Sequence, residues 1–272
     1  QYLVHGWRHL IQHNYFLEVH LAWMFTRILI THSVYLFVVQ DLEKSRQQLV
    51  TANRILANEG IIQGFGHVSV RHPDGDKMLI SRSLSPGLVT EDDLMTMTFD
   101  GEIVENVDAS PYLETVIHRA IYRNRDDVGA VVHHHAPQLM PFVASDTEIK
   151  PAFHMAALFH EGVPTFSDYD LDYGRLIATE EEGERMAEVL GEKRAQLLAN
   201  HGANVTGSNI KEAILATKYL VMNAQYQFQA EQLGGTTYFD GPEEALENTI
   251  DDAILAQISV DRMWSFLSDR LP

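Results

Sequence analysis

The chain has 272 residues, 45% of them hydrophobic, with 20 Lys and Arg set against 38 Asp and Glu. That length buries a full core and fits one large domain, while a formal charge of −18 repels phosphate backbones and anionic lipid and so argues against nucleic acid or a polybasic membrane contact as partner. There is no cysteine, hence no disulfide framework and no thiolate, and any bound metal must be held by His and carboxylate.

Residues 1–40 differ from the rest. They hold five histidines and many aromatics, and Arg8 and Arg27 against Glu18 give them a charge of +1, leaving −19 for residues 41–272. A seam is expected near Gln40-Asp41, dividing an atypical N-terminal extension or appended segment, 1–40, from a catalytic domain, 41–272. Val19 to Val39 is apolar enough to raise the question of a membrane span, but Arg27, His20 and His32 make insertion costly. No secretory signal pattern is read, and the expected location is cytoplasmic.

From Asp41 an amphipathic helix carries Leu42, Leu49, Ala52, Ile55 and Leu56 on its buried face and stops at Asn58-Glu59-Gly60. Gly64 to Arg71 alternates like a strand, His72 to Asp76 turns, and Lys77 to Ser81 returns as an antiparallel hairpin. Thr90 and Asp93 form a capping box before a short helical turn, and Met95 to Phe99 and Ile103-Val104 make a second hairpin across Asp100-Gly101. Ser110, with Pro111 behind it, predicts the start of a helix striped by Leu113, Val116, Ile117, Ala120 and Ile121. Gly129 to His135 is a strand, Thr179 and Glu182 cap a helix through Leu190, Ala195 to Ala199 and Ala203 to Thr206 are extended, and Ser208 opens a long helix. An acidic helical tail follows Gly241.

The chemistry concentrates in three places. His133 and His135 sit at i and i+2 of an apolar strand, so both imidazoles leave the same face and can grip one cation. His201, in Asn200-His201-Gly202, lies at a strand end where the backbone can turn. Three neutral imidazoles on Zn²⁺, Mn²⁺ or Fe²⁺ would leave room for water and substrate.

The ordered set Gly66-His67-Val68-Ser69-Val70-Arg71, Glu114 with His118 four residues on, Val132-His133-His134-His135 and Asn200-His201-Gly202 resembles the class II aldolase/adducin family over roughly residues 41–235. The resemblance implies a three-layer α/β/α sandwich around a mainly antiparallel sheet. It also implies a homotetramer with active sites at subunit contacts, one divalent metal on His133, His135 and His201, and Glu114 as proton donor or acceptor. Sugar-phosphate aldolases of the family hold phosphate with a Gly-Asn-x-Ser motif and paired serines. Here His67 replaces the Asn and Pro111-Tyr112-Leu113 precedes Glu114, so a nest of small phosphate donors is missing.

His67, Arg71, Ser81-Arg82-Ser83 and aromatics such as Phe65, Tyr112, Phe153 and Tyr219 stand in their place. An Arg can grip a carboxylate and rings can sandwich a flat acid, unless the arginines are solvated strand-end charges and the rings are core. The pattern is similar to the members that decarboxylate hydroxylated aromatic or pyridine carboxylates. The expected activity is therefore metal-dependent decarboxylation of a small aromatic or heteroaromatic carboxylate. Glu114 would be the proton donor, His67 and Arg82 its helpers, and Arg71, Ser81, Ser83, Tyr112, His154 and Tyr219 the substrate contacts. His154 and His160 could equally be satisfied core histidines. Three alternatives stand: an aldolase of an unphosphorylated hydroxy-oxo acid, a non-haem iron oxygenase of a hydroxyphenylpyruvate-type substrate, and a metal-free adducin-like interaction domain.

Overall fold

The computed structural model describes residues 40–272, so the possible span at Val19 to Val39 and the origin of the N-terminal extension lie outside the described residues. The chain divides into units 1–44 and 45–272. Helix α1 occupies 40–58, and its Leu49, Ala52, Ile55 and Leu56 are fully buried, as their spacing requires.

Eight strands form one sheet: β1 (His67–His72), β2 (Gly75–Ser81), β3 (Leu94–Thr98), β4 (Ile103–Glu105), β5 (Ala130–His134), β6 (Thr165–Phe166), β7 (Ala195–Leu198) and β8 (Gly202–Gly207). Their order is β4-β3-β2-β1-β5-β8-β7-β6, and every pairing is antiparallel except the short β6–β7 contact. Helices α2 (Thr115–Asn124) and α4 (Glu180–Leu190) cover one face, where Ile117, Ile121 and Met186 pack with Met78, Ile80, Met95 and Val131. A short α3 (Met140–Val143) follows β5, and the long α5 (Ile210–Gln232) packs along β8 and β5. Helices α6 (Glu243–Thr249) and α7 (Gln257–Ser268) complete the chain. The architecture is the expected α/β sandwich with a mostly antiparallel sheet. No helix among the described residues is long and apolar enough to cross a membrane.

Two helix starts depart from the sequence expectation. Helix α2 begins at Thr115, not Ser110, with Glu114 in the cap position. The Ser110 carbonyl accepts from Ser83 N–H, and Tyr112 reaches back to Leu84, which keeps residues 110–112 out of the helix. Helix α5 is capped by Asn209, whose side chain accepts from Glu212 N–H, one residue beyond Ser208. The predicted caps at Thr90 and Thr179 form as expected.

One feature of the sheet positions everything else. The registers His67↔His133, His133↔Asn204 and Asn204↔Gln196 set four polar residues side by side across β1, β5, β8 and β7. All four are buried. Buried polar side chains hold their place only when hydrogen-bonded; here His133, Asn204 and Gln196 bond in series, and His67, stacked on His133, bonds to His118.

Candidate active site

His133 is the centre of the row. Its Nδ1 lies 2.8 Å from Asn204 Oδ1, and Asn204 Nδ2 donates to Gln196 Oε1 (3.3 Å), while Gln196 Nε2 donates to the Met186 carbonyl on α4. His133 therefore carries its proton on Nδ1 and directs the Nε2 lone pair towards His135, whose Nε2 is 3.1 Å away. His201 joins them from the turn before β8, where Asn200 adopts a left-handed conformation (φ 56°) and is tied by its N–H to the Val143 carbonyl. One ring nitrogen from each of His133, His135 and His201 lies within 4.8 Å of the other two.

Burial lowers the pKa of all three imidazoles, His201 to about 4, so each is neutral near pH 7 with a lone pair to offer. His201 Nε2 is buried with no hydrogen-bond partner among the described residues. Tetrahedral zinc–nitrogen bonds put ligand nitrogens about 3.3 Å apart. A buried imidazole nitrogen without a partner, facing two others at close range, is what a divalent ion would satisfy, and the residues present fit one.

Glu114, at the mouth of α2, holds its carboxylate beside this triangle, 3.8 Å from His133 Nε2 and 3.6 Å from His201 Nε2. The Ile177 N–H donates to its Oε1 (3.0 Å). Burial pushes the carboxyl up to about 7, against which the Ile177 hydrogen bond works. A cation in the triangle would pull it down again.

These groups face a cleft of about 740 Å³, lined by His67, Glu114, His135 and His201 and walled by Phe65, Leu84, Tyr112, Leu113 and Leu176, with Ser83 and Ser85 at one side. No Lys or Arg is among its described lining residues. A second cavity of about 660 Å³, flanked by Lys150, Phe159, Lys193 and Tyr238, contains no member of the triangle.

The structure thus brings together His67, Ser83, Tyr112, Glu114, His135 and His201, with His133 behind them. Five other candidates lie off the cleft wall. Arg71 is spent inside the protein: Nε donates to the Val128 carbonyl, and Nη2 to the Tyr122 and Arg125 carbonyls. Arg82 Nε donates to Asp93 (2.7 Å) and the side chain is off the cleft wall. His154 is exposed on a 3-10 turn, Tyr219 is buried on α5 against Phe153, and neither lines the cleft. Ser81 is buried, its hydroxyl on the Tyr112 hydroxyl (3.0 Å), so it supports the wall from behind. The sequence left Asn204 and Gln196 unremarked, although each is an amide inside an apolar strand.

An antiparallel sandwich whose open-sided histidine triangle adjoins a carboxylate has the donor set to hold one divalent ion with coordination positions left open. The family described as Class II Aldolase and Adducin N-terminal domain matches residues 47–228, and the chain belongs to it. Among its relatives, a protein named decarboxylase tropJ from Talaromyces stipitatus is 28% identical, covering 79% of this chain and 89% of that one. A 5-deoxy-D-ribulose 1-phosphate aldolase from Bacillus thuringiensis is 26% identical (76% and 94%), and a 3,4-dihydroxyphthalate decarboxylase from Arthrobacter keyseri is 28% identical (70% and 80%). The crystal structure of an aldolase II superfamily protein from Pseudomonas syringae superposes with a TM-score of 0.70 at 26% identity (84% and 92%). The chain is a metal-dependent lyase of the decarboxylase and aldolase kind.

Proposed function

We propose that the protein decarboxylates a hydroxylated aromatic or heteroaromatic carboxylic acid. The observation that carries this is the cleft wall: rings and aliphatic side chains beside the histidine triangle, and no Lys or Arg among the described lining residues to hold a phosphate dianion. The 3,4-dihydroxyphthalate decarboxylase among the relatives points the same way.

His133, His135 and His201 would hold one zinc, manganese or ferrous ion, which when bound supplies Lewis-acid stabilisation of negative charge on substrate oxygen. Leu84, Leu113, Leu176 and the rings of Phe65 and Tyr112 sandwich the flat acid and keep water from the reacting carbon. As the carbon–carboxylate bond breaks, carbon dioxide leaves and the electron pair stays on the ring carbon. Glu114 is the group placed to deliver the proton that carbon needs. Phe65 is 81% exposed and Leu113 50% exposed at the cleft mouth. Apolar groups left open there support the homotetramer with sites at subunit contacts that the family resemblance implies.

The test is product analysis without oxygen. Metal-loaded protein given a panel of ortho-hydroxy aromatic acids should release carbon dioxide and the matching arene, and a chelator should stop it. Aldehyde release from an unphosphorylated hydroxy-oxo acid, with the aromatic acids untouched, would replace this assignment with an aldolase. No turnover without oxygen, with turnover restored in air and matched by dioxygen consumption, would replace both with an oxygenase.

A further inference from the structure

Behind the cleft runs a buried hydrogen-bonded chain that the proposed chemistry leaves unused. His67 Nδ1 lies 2.6 Å from His118 Nε2, His118 Nδ1 lies 2.6 Å from Ser69 Oγ, and Ser69 Oγ lies 2.8 Å from the Tyr122 hydroxyl. Ser69, His118 and Tyr122 are almost wholly shielded from solvent, and only His67 borders the cleft.

Such a chain has a direction. The Tyr122 hydroxyl has Ser69 Oγ as its one hydrogen-bond partner among the described residues, so its proton turns to Ser69. Ser69 accepts that proton and gives its own to His118 Nδ1. His118 then carries its hydrogen on Nε2 and donates to His67 Nδ1, which obliges His67 to keep its hydrogen on Nε2. Arg71 fixes the far end, its guanidinium lying 5.0 Å from the centre of the Tyr122 ring and bonded to the Tyr122 carbonyl. Each of the two rings accepts at its Nδ1, so the proton arrangement is one of neutral rings.

We infer that His118, set by Ser69 and Tyr122, is a positioning residue that locks His67 as a neutral Nε2–H donor aimed at an anionic oxygen of the bound acid. This rests on the proposed substrate class and adds what replaces an arginine in a cleft without one. A neutral, pre-oriented donor grips an oxygen anion with a charge-assisted hydrogen bond and brings no competing positive charge beside the metal ligands.

The direct test is nitrogen-15 NMR of the histidine rings in the ligand-free wild-type protein. Both His67 and His118 should show a pyrrole-type Nε2 and a pyridine-type Nδ1, and a pyrrole-type Nδ1 on His67 overturns the inference. Tyr122→Phe frees the chain to reverse, and both tautomers of His67 should then appear. In the same variant KM for the decarboxylated acid should rise about tenfold with kcat within twofold of wild type, since a hydrogen bond kept from bound state to transition state contributes to binding alone. A fall in kcat at unchanged KM would overturn the donor role. The two proposals fail separately: a reversed tautomer with carbon dioxide release sinks this one, and the expected tautomer in a protein that releases no carbon dioxide from any aromatic acid sinks the decarboxylase.

Discussion

Asn204 Oδ1, 2.8 Å from His133 Nδ1, decides which nitrogen of His133 is free to bind. The amide cannot rotate without losing its Nδ2 donation to Gln196, so the acceptor oxygen stays on His133 and the ring keeps its Nε2 lone pair towards the triangle. Asn204→Leu preserves volume and removes the acceptor. Metal affinity should fall about 10- to 100-fold, read by competition with a chelator. Stability should fall by about 1–3 kcal/mol, because His133 N–H is then buried unpaired.

Glu114 touches the triangle without belonging to it, and its role can be separated from metal binding. Glu114→Gln keeps the acceptor oxygen for Ile177 N–H and removes the transferable proton. Turnover should drop about 10²- to 10⁴-fold, with metal content near that of wild type by elemental analysis. Loss of the metal along with activity would make Glu114 a ligand first.

Gly202 is where the turn of His201 meets the end of β5, against His134 and His135. A methyl group there would sit 2.6 Å from the His134 carbonyl oxygen and 2.8 Å from His135 Cδ2. The backbone oxygen cannot swing aside, so β8 must move off β5 and carry His201 with it. Gly202→Ala should cost about 1–3 kcal/mol as an overpacking change and lower the bound metal below one ion per chain, measured by thermal unfolding and elemental analysis. A variant that stays fully loaded would show that the triangle tolerates a displaced turn.

Seven of the eight strands, the two Thr caps and the pairing of His133 with His135 are legible because each depends on spacing within one short stretch. The start of α2 is not: Ser110 has the residue type of a cap, but long-range bonds from Ser83 and Tyr112 decide otherwise. Arg71 misleads for the same reason. A strand-end Arg suggests a carboxylate clamp, and only the fold shows three backbone carbonyls waiting for it. Asn204 and Gln196 become meaningful through sheet register, which local sequence does not encode.

His118 should make the protein acid-sensitive in a defined window. Burial pushes its pKa from 6.5 to about 3, so the folded protein keeps it neutral where the unfolded chain would protonate it. The sign follows from proton counting: below pH 6.5 the unfolded state binds the extra proton, so stability is full above 6.5 and falls as pH drops towards 3. Each pH unit in that interval costs about 1.4 kcal/mol for one such group. His118→Gln removes the titration, although it also disturbs the bonds to His67 and Ser69. The variant should therefore start less stable at pH 7.5 and lose stability more slowly towards pH 4. Urea unfolding at a series of pH values, taken as the difference between wild type and variant, isolates the slope. Parallel curves would mean that His118 is already charged or already open to water in the folded protein.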